Sequence, residues 1–215
     1  MGIAIADYGM GNLFSVAKAC TRVGLEAFIT DEPERAKGAD ALILPGVGAF
    51  SDCNDNLRQS GLDQVVMDFY QQDKPVLGIC VGMQLMFEYG EEDGLFQGLG
   101  IFPGKVVRFQ AGRKIPHMGW NTLQDPRQER LADPILADLP LDPYVYFVHS
   151  YHADEASREY AIAVTDYQGA VFISAARRRN CWGLQFHPEK SADVGLRILK
   201  NFGREVNCLS YRPST

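Results

Sequence analysis

KPVLGICVGMQLMFEY, residues 74–89, joins an apolar segment to a helical one through a cysteine set between two glycines. Pro75–Ile79 reads as a buried strand and Val81–Tyr89 as the helix behind it. Gly78, Cys80 and Gly82 have the G-x-nucleophile-x-G form of a nucleophile elbow, with cysteine in place of serine. A sharp strand-to-helix turn pushes such a side chain out at the sheet edge, and flanking glycines let the backbone crowd together. The helix N-terminus that follows offers unpaired N–H groups and positive potential, which favour a thiolate. The N–H of Val81 is placed to help hold an oxyanion. Taken alone, the segment also fits a buried structural cysteine between packing glycines.

Outward from the elbow, the first half of the chain alternates strand and helix patterns. Gly2–Asp7, Leu25–Thr30 and Ala39–Leu44 read as strands, the last stopping at Pro45. Asn12–Val23 and Leu57–Tyr70 carry helical stripes, through Leu13, Val16, Ala17, Cys20 and Val23 and through Leu62, Val65, Val66 and Phe69. Continuous apolar runs separated by helices imply parallel strands buried on both faces, with ligands gathered at their carboxyl ends. From Gly94 to Pro143 the chain is rich in Gly and Pro and lacks a long amphipathic helix. Val145–Tyr151, Tyr160–Thr165, Ala170–Ala175 and Cys181–Phe186 then read as strands, and Ala192–Phe202 as a closing helix. The expected fold is an α/β domain: an open, mostly parallel sheet flanked by helices with a β-rich insertion. One domain spans 1–204, with 205–215 as a C-terminal tail.

The length of 215 residues suits one domain with an insertion, and 46% hydrophobic with 22% charged residues is the composition of a globular chain. No apolar run is long enough for a membrane span, and the N-terminus lacks the basic region of a signal peptide. A net charge of −6 disfavours nucleic acid as a partner. Arg177–Arg179, the one basic run, reads as a solvated hairpin tip. Five cysteines, odd in number and widely spaced, form neither a disulfide framework nor a zinc site and fit a reducing, cytoplasmic compartment. No metal or other cofactor is expected.

A cysteine nucleophile needs a base, and the base an orienting group. Of the four histidines, His187 lies just past an apolar strand in LQFHPE, where Pro188 stiffens the exit and Glu189 can turn back on the ring. His149 and His152, in HSYH, are expected on opposite faces of a strand, which argues against a shared metal. DYGMGNLF has Phe14 where a dinucleotide fingerprint needs its third glycine, and no phosphate-cradling GxxxxGK[ST] occurs. LPGVGAF, residues 44–50, fits either an ordinary turn or a flexible loop presenting N–H groups opposite the elbow.

PGVG (45–48), GICVGMQLMFE (78–88), FVHSY (147–151) and FHPEKS (186–191), in this order, resemble the triad glutamine amidotransferases, and the resemblance runs from residue 3 to about 204. DYGMGNLFSV (7–16), PHMGWN (116–121) and HPEKS (187–191) are most similar to the glutaminase subunits of imidazole glycerol phosphate synthases. The resemblance implies a three-layer fold and hydrolysis of glutamine to glutamate and ammonia. In it Cys80 is the nucleophile, His187 the proton shuttle and Glu189 the group that orients it. Val47 and Val81 supply the oxyanion hole, with Gly46 and Gly48 easing a flip of the loop; Gln84 and the backbone at Ser150 hold the substrate. It further implies a heterodimer with a barrel-shaped synthase subunit that uses the ammonia to make imidazole glycerol phosphate and AICAR, with Asn12, Trp120 and Lys190 near the interface. For Trp120 a core position, and for Lys190 a solvated one, remain open. Glutaminases of anthranilate, GMP or pyridoxal phosphate synthesis share the triad, and a non-catalytic regulatory module is a further reading.

Overall fold

The computed structural model describes residues 2–127 and 130–210. Its main sheet is built from β1 (Ile3–Ala6), β2 (Ala27–Thr30), β3 (Ala41–Gly46) and β4 (Val76–Cys80) of the first half. Between them run α1 (Leu13–Arg22), α2 (Pro33–Lys37), α3 (Phe50–Gln59) and α4 (Leu62–Gln71), and α5 (Val81–Leu85) follows β4 directly. The additions are β5 (Phe87–Gly90), β6 (Phe96–Gln97), β7 (Phe102–Arg108), β8 (His117–Thr122), β9 (Tyr144–His149) and β10 (Tyr151–Ala153). The chain returns to the main sheet with β11 (Ala161–Tyr167), β12 (Ala170–Arg178) and β13 (Cys181–Leu184), and closes with α6 (Ala192–Ser210).

The sheet order is β11-β12-β13-β4-β3-β1-β2. The five strands from β13 to β2 are parallel and β12 and β11 antiparallel, so the sheet is mostly parallel, as expected. Helices flank it: α1 packs on α6, and α4 on α2 and α3. Every residue of β1 and β4 is buried, which explains why these segments read as continuous apolar runs and not as alternating ones.

Several expected boundaries move, each for a physical reason. The stripe over Leu57–Tyr70 belongs to two helices, because Gly61 takes φ +72 and ends α3. The helix after Cys80 stops at Leu85. The carbonyls of Leu85, Met86 and Phe87 accept from the N–H groups of Leu99, Phe102 and Gly100, so the insertion draws Phe87–Gly90 into a sheet. β3 passes through Pro45, since its last pairings, Pro45 with Ile79 and Gly46 with Cys80, run on the β4 side. Val145–Tyr151 breaks at Ser150: β9 pairs with β8 and β10 with β7, in different sheets. The arginine run forms the β12–β13 hairpin tip, as expected, with Arg179 exposed, but each guanidinium also has a partner. Arg177 reaches Asp133 at 3.1 Å, Arg178 the Ile101 carbonyl at 2.5 Å and Arg179 the Asp73 carboxylate at 3.1 Å. Helix α6 continues past Phe202 to Ser210, into the stretch set apart as a tail; residues 211–215 lie outside the described ones.

Close backbone approach at the elbow requires glycine. A Cβ on Gly82 would overlap the Leu44 carbonyl oxygen, and one on Gly46 would lie 2.5 Å from the Gly82 nitrogen. A methyl group at residue 82 therefore forces β3 and α5 apart. Gly82→Ala is expected to cost at least about 2 kcal/mol, read as a lower urea midpoint; an unchanged midpoint would refute the close-approach account.

Candidate active site

Parallel register sets the site. Gly46 of β3 lies opposite Cys80, and Leu184 of β13 lies opposite Ile79. The carboxyl ends of three adjacent strands therefore deliver the 45–48 loop, the thiol and the His187 segment to one edge. Cys80 has φ +55 and ψ −114, a conformation that side chains rarely adopt and that costs of order 1–3 kcal/mol. Its thiol is enclosed, with Gln185 Nε2 at 4.0 Å and the Val148 carbonyl at 3.9 Å.

His187 is held from three sides. Its N–H donates to the Tyr146 carbonyl at 3.0 Å, its own carbonyl accepts from Ser191 Oγ at 2.6 Å, and Nδ1 lies 2.9 Å from Glu189 Oε1. Ser191 in turn accepts from the Tyr146 N–H at 2.9 Å, which locks the 187–191 turn to β9. Nε2 is buried and has no hydrogen-bond partner in the structure, which leaves it for a group that enters the cavity. Burial lowers the proton affinity of the ring, but Cys80 and Glu189 outweigh it and raise the pKa from near 6.5 to about 9. The His187 and Glu189 side chains are 2% and 1% exposed, so water screens their interaction little.

On the β3 side, Tyr8 Oη donates to the Pro45 carbonyl at 2.5 Å and Cys53 Sγ to the Val47 carbonyl at 3.3 Å. The peptides before and after Gly46–Val47 are thus anchored, and Gly48 has φ +101. The loop runs into α3, whose first N–H, that of Phe50, donates to Glu92 Oε2 at 2.7 Å.

A cavity of about 270 Å³ opens over Cys80, lined by Val47, Gly48, Val81, Gln84, Ser150 and Lys190, and by His187. This is slightly smaller than the roughly 300–1,000 Å³ of sites for drug-sized ligands, a size suited to one amino acid. Gly46 lies behind the lining, against the elbow, and Glu189 behind His187. Asn12 precedes α1, and its carbonyl accepts from the Val16 N–H at 3.2 Å. Trp120 is 53% exposed, edge-on to Tyr146, and does not occupy the core. His149 and Tyr151, which flank Ser150 in HSY, also line the cavity, as do Glu92 and Pro116, for which the sequence gives no such role. Glu92 sits in a short acidic loop with no local signal; Pro116 and Tyr151 fall inside the quoted PHMGWN and FVHSY stretches.

The break at Ser150 overturns the expectation for His149 and His152. Both rings pack on Phe109, at 5.3 and 4.4 Å, on one side and not on opposite faces. Burial lowers the pKa of His149 to about 3 and of His117 to about 4.

An open, mostly parallel α/β sheet with a thiol at its elbow and a carboxylate-paired histidine at the same edge is the arrangement that thioester-forming amidases and esterases use. Comparison with known proteins narrows this. The profile of the class-I glutamine amidotransferases matches residues 4–206. A relative in Desulfitobacterium hafniense (strain DSM 10664 / DCB-2), imidazole glycerol phosphate synthase subunit HisH, is 48% identical over 205 residues, 95% of each chain. The protein of the same name in Bacillus subtilis (strain 168) is 46% identical over 206 residues, 93% of this chain and 94% of that one. In fold the chain is similar to a putative GMP synthase subunit from Thermoplasma acidophilum, with a TM-score of 0.72 at 20% identity over 98% and 96% of the two chains. The chain therefore belongs to the class-I glutamine amidotransferase family, and within it to the HisH subunits.

The titrations have opposite signs. His187, with a raised pKa, contributes stability that is full below pH 6.5 and lost as pH rises toward 9. His117 and His149, with lowered values, contribute stability present above pH 6.5 and lost as pH falls toward 4 and 3. The urea midpoint is expected to peak near pH 6.5 and fall on both sides. Glu189→Gln should flatten the alkaline limb and bring the His187 titration, followed by NMR, down by about one to three pH units. An unmoved titration would remove Glu189 from its role.

Proposed function

We propose that this chain cleaves the side-chain amide of glutamine with a Cys80–His187–Glu189 triad and hands the ammonia to a synthase subunit that makes imidazole glycerol phosphate and AICAR. The observation that carries the reading is the cavity lined by both Cys80 and His187, with Glu189 Oε1 2.9 Å from Nδ1 on the far side of the ring. Cys80 sulfur attacks the amide carbon. His187 gives a proton to the departing nitrogen, and a γ-glutamyl thioester remains. Water, losing a proton to His187, then releases glutamate and restores the thiol.

The Val81 N–H and the Val47 N–H stabilise the oxyanion in this scheme. Loss of one such donor typically costs about 10²–10³ in rate. Tyr8 and Cys53 hold the carbonyls on either side of the Gly46–Val47 peptide. That peptide can turn through ψ of Gly46 and φ of Val47 alone, leaving its neighbours in place, which makes it a two-position gate. Glu92 is the counter-ion for the substrate's ammonium group, and Gln84 with the Ser150 backbone holds the rest of its amino-acid end.

The partner is assigned to the face that carries the DYGMGNLF and PHMGWN stretches. Phe14 is 77% exposed, and Met118 and Trp120, 62% and 53% exposed, share one side of β8. Asn12 lies within the first stretch, two residues before Phe14, and Lys190 stands at the cavity wall.

Glutamate release, measured for the chain alone and then with the nucleotide ligand and the synthase subunit, tests the reading. Strong stimulation by partner and ligand is expected, with Cys80→Ala lowering turnover at least about a thousandfold. Cys80-dependent release indifferent to this partner would move the chain to another pathway, such as GMP or anthranilate synthesis. No release under any condition would overturn the triad.

A further inference from the structure

We propose that His117 is a positioning residue for glutamine binding, acting through a directional chain of hydrogen bonds that sets His149 and the Tyr151 carbonyl in the cavity wall. The proposal rests on the glutaminase reading above. It gives a role to the histidine of PHMGWN, which the triad leaves unused.

The direction of the chain follows from its ends. His149 Nδ1 lies 2.8 Å from the Tyr151 carbonyl oxygen, which can only accept, so Nδ1 carries the proton. In a neutral ring Nε2 is then the acceptor, and His117 Nδ1, at 3.0 Å, must donate to it. That leaves His117 Nε2 to accept from Asn121 Nδ2 at 3.4 Å. Asn121 cannot flip its amide without loss: Nδ2 also donates to the Asp166 carbonyl at 2.9 Å, and Oδ1 accepts from the Thr122 N–H at 2.8 Å. Backbone groups thus fix both termini, and both imidazoles are neutral.

The rings cannot swing freely. His117 is 3% exposed and is stacked between Phe147, at 4.7 Å, and Tyr167, at 4.0 Å. At the far end the Tyr151 carbonyl takes a second donor, Gln84 Nε2 at 3.1 Å, which fills both of its lone pairs. Gln84 Nε2 also donates to Gln185 Oε1 at 3.1 Å, and Gln185 Nε2 stands 4.0 Å from Cys80 Sγ. Displacement of His149 therefore disturbs the residues that line the substrate cavity.

Strand alternation makes the chain a coupler. In β8, His117 and Asn121 point inward, while Met118 and Trp120, on the other face, are 62% and 53% exposed. Anything seated on that outer face bears on the same strand. A shift of β8 by about 0.6 Å stretches the 3.0 Å ring contact to a length at which a hydrogen bond is lost.

The test uses the chain assembled with the synthase subunit, with ¹⁵N-labelled histidine for NMR. Both His117 and His149 are expected as the Nδ1–H tautomer at pH 7.5. His117→Phe keeps the stacking and removes the relay; KM for glutamine should rise about tenfold, the equivalent of one lost hydrogen bond, with kcat within about twofold. His117→Asn, whose amide can donate from the Nδ1 position, should recover most of the loss. Iodoacetamide labelling of Cys80, followed by mass spectrometry, should be unchanged in both. An Nε2–H tautomer at either ring, or an unchanged KM in folded His117→Phe, would overturn the proposal. If His117→Phe does not fold, the tautomers and the His117→Asn KM decide. If the unmodified complex releases no glutamate, the glutaminase reading fails, while the tautomers still test the relay.

Discussion

The structure depends on one steric constraint: three parallel strands converge on a turn that has no room for side chains beyond the nucleophile. Gly46, Gly78 and Gly82 each face backbone or a buried sulfur at distances a Cβ could not share. Between them Cys80 is held at φ +55. An isolated chain would relax this backbone, so its persistence is a property of the buried strands on both sides. The strain is small against the burial of β1, β3 and β4. Register does the rest, since a base that leaves β13 and a loop that leaves β3 arrive on opposite sides of the same atom.

Electrostatics adds a second layer. Burying a histidine with a carboxylate 2.9 Å away makes each partner's charge depend on the other. The two histidines of the relay lie in an aromatic cluster without such a carboxylate, and burial drives them the other way. Two neighbouring sets of imidazoles thus differ in protonation at neutral pH. His187 has a carboxylate partner, whereas His117 and His149 have imidazole, amide and carbonyl partners.

What was legible in the sequence is what is local. The elbow is contiguous, its glycines report their own packing, and HPE places base and orienting group two residues apart. The parallel core was visible as uninterrupted apolar runs. What was illegible depends on distant segments. The α5 helix ends early because residues 99–102 compete for its carbonyls, and no propensity in GMQLMFEY signals that. Glu92 reaches the cavity from a loop, Cys53 reaches Val47 by the first turn of α3, and His117 meets His149 only through antiparallel pairing of β8 with β9. The two-faced placement of His149 and His152 failed because a strand may change sheets at one residue, as this one does at Ser150.

Except for Cys53, these contacts come from one part of the chain, the additions between β4 and β11. The α/β core alone would present a strained thiol, a histidine and the anchored 45–48 loop on an open edge. The insertion adds the rest of the cavity wall: Glu92 from the loop after β5, Pro116 before β8, and the His149–Tyr151 turn between β9 and β10. The same insertion carries the exposed Met118 and Trp120. Part of the cavity wall and two exposed apolar side chains thus come from one stretch of chain, joined to the core where α5 stops short. A shortened helix is therefore a requirement of the site: four more residues of α5 would use up the segment that forms β5 and would leave the Glu92 loop without an anchor.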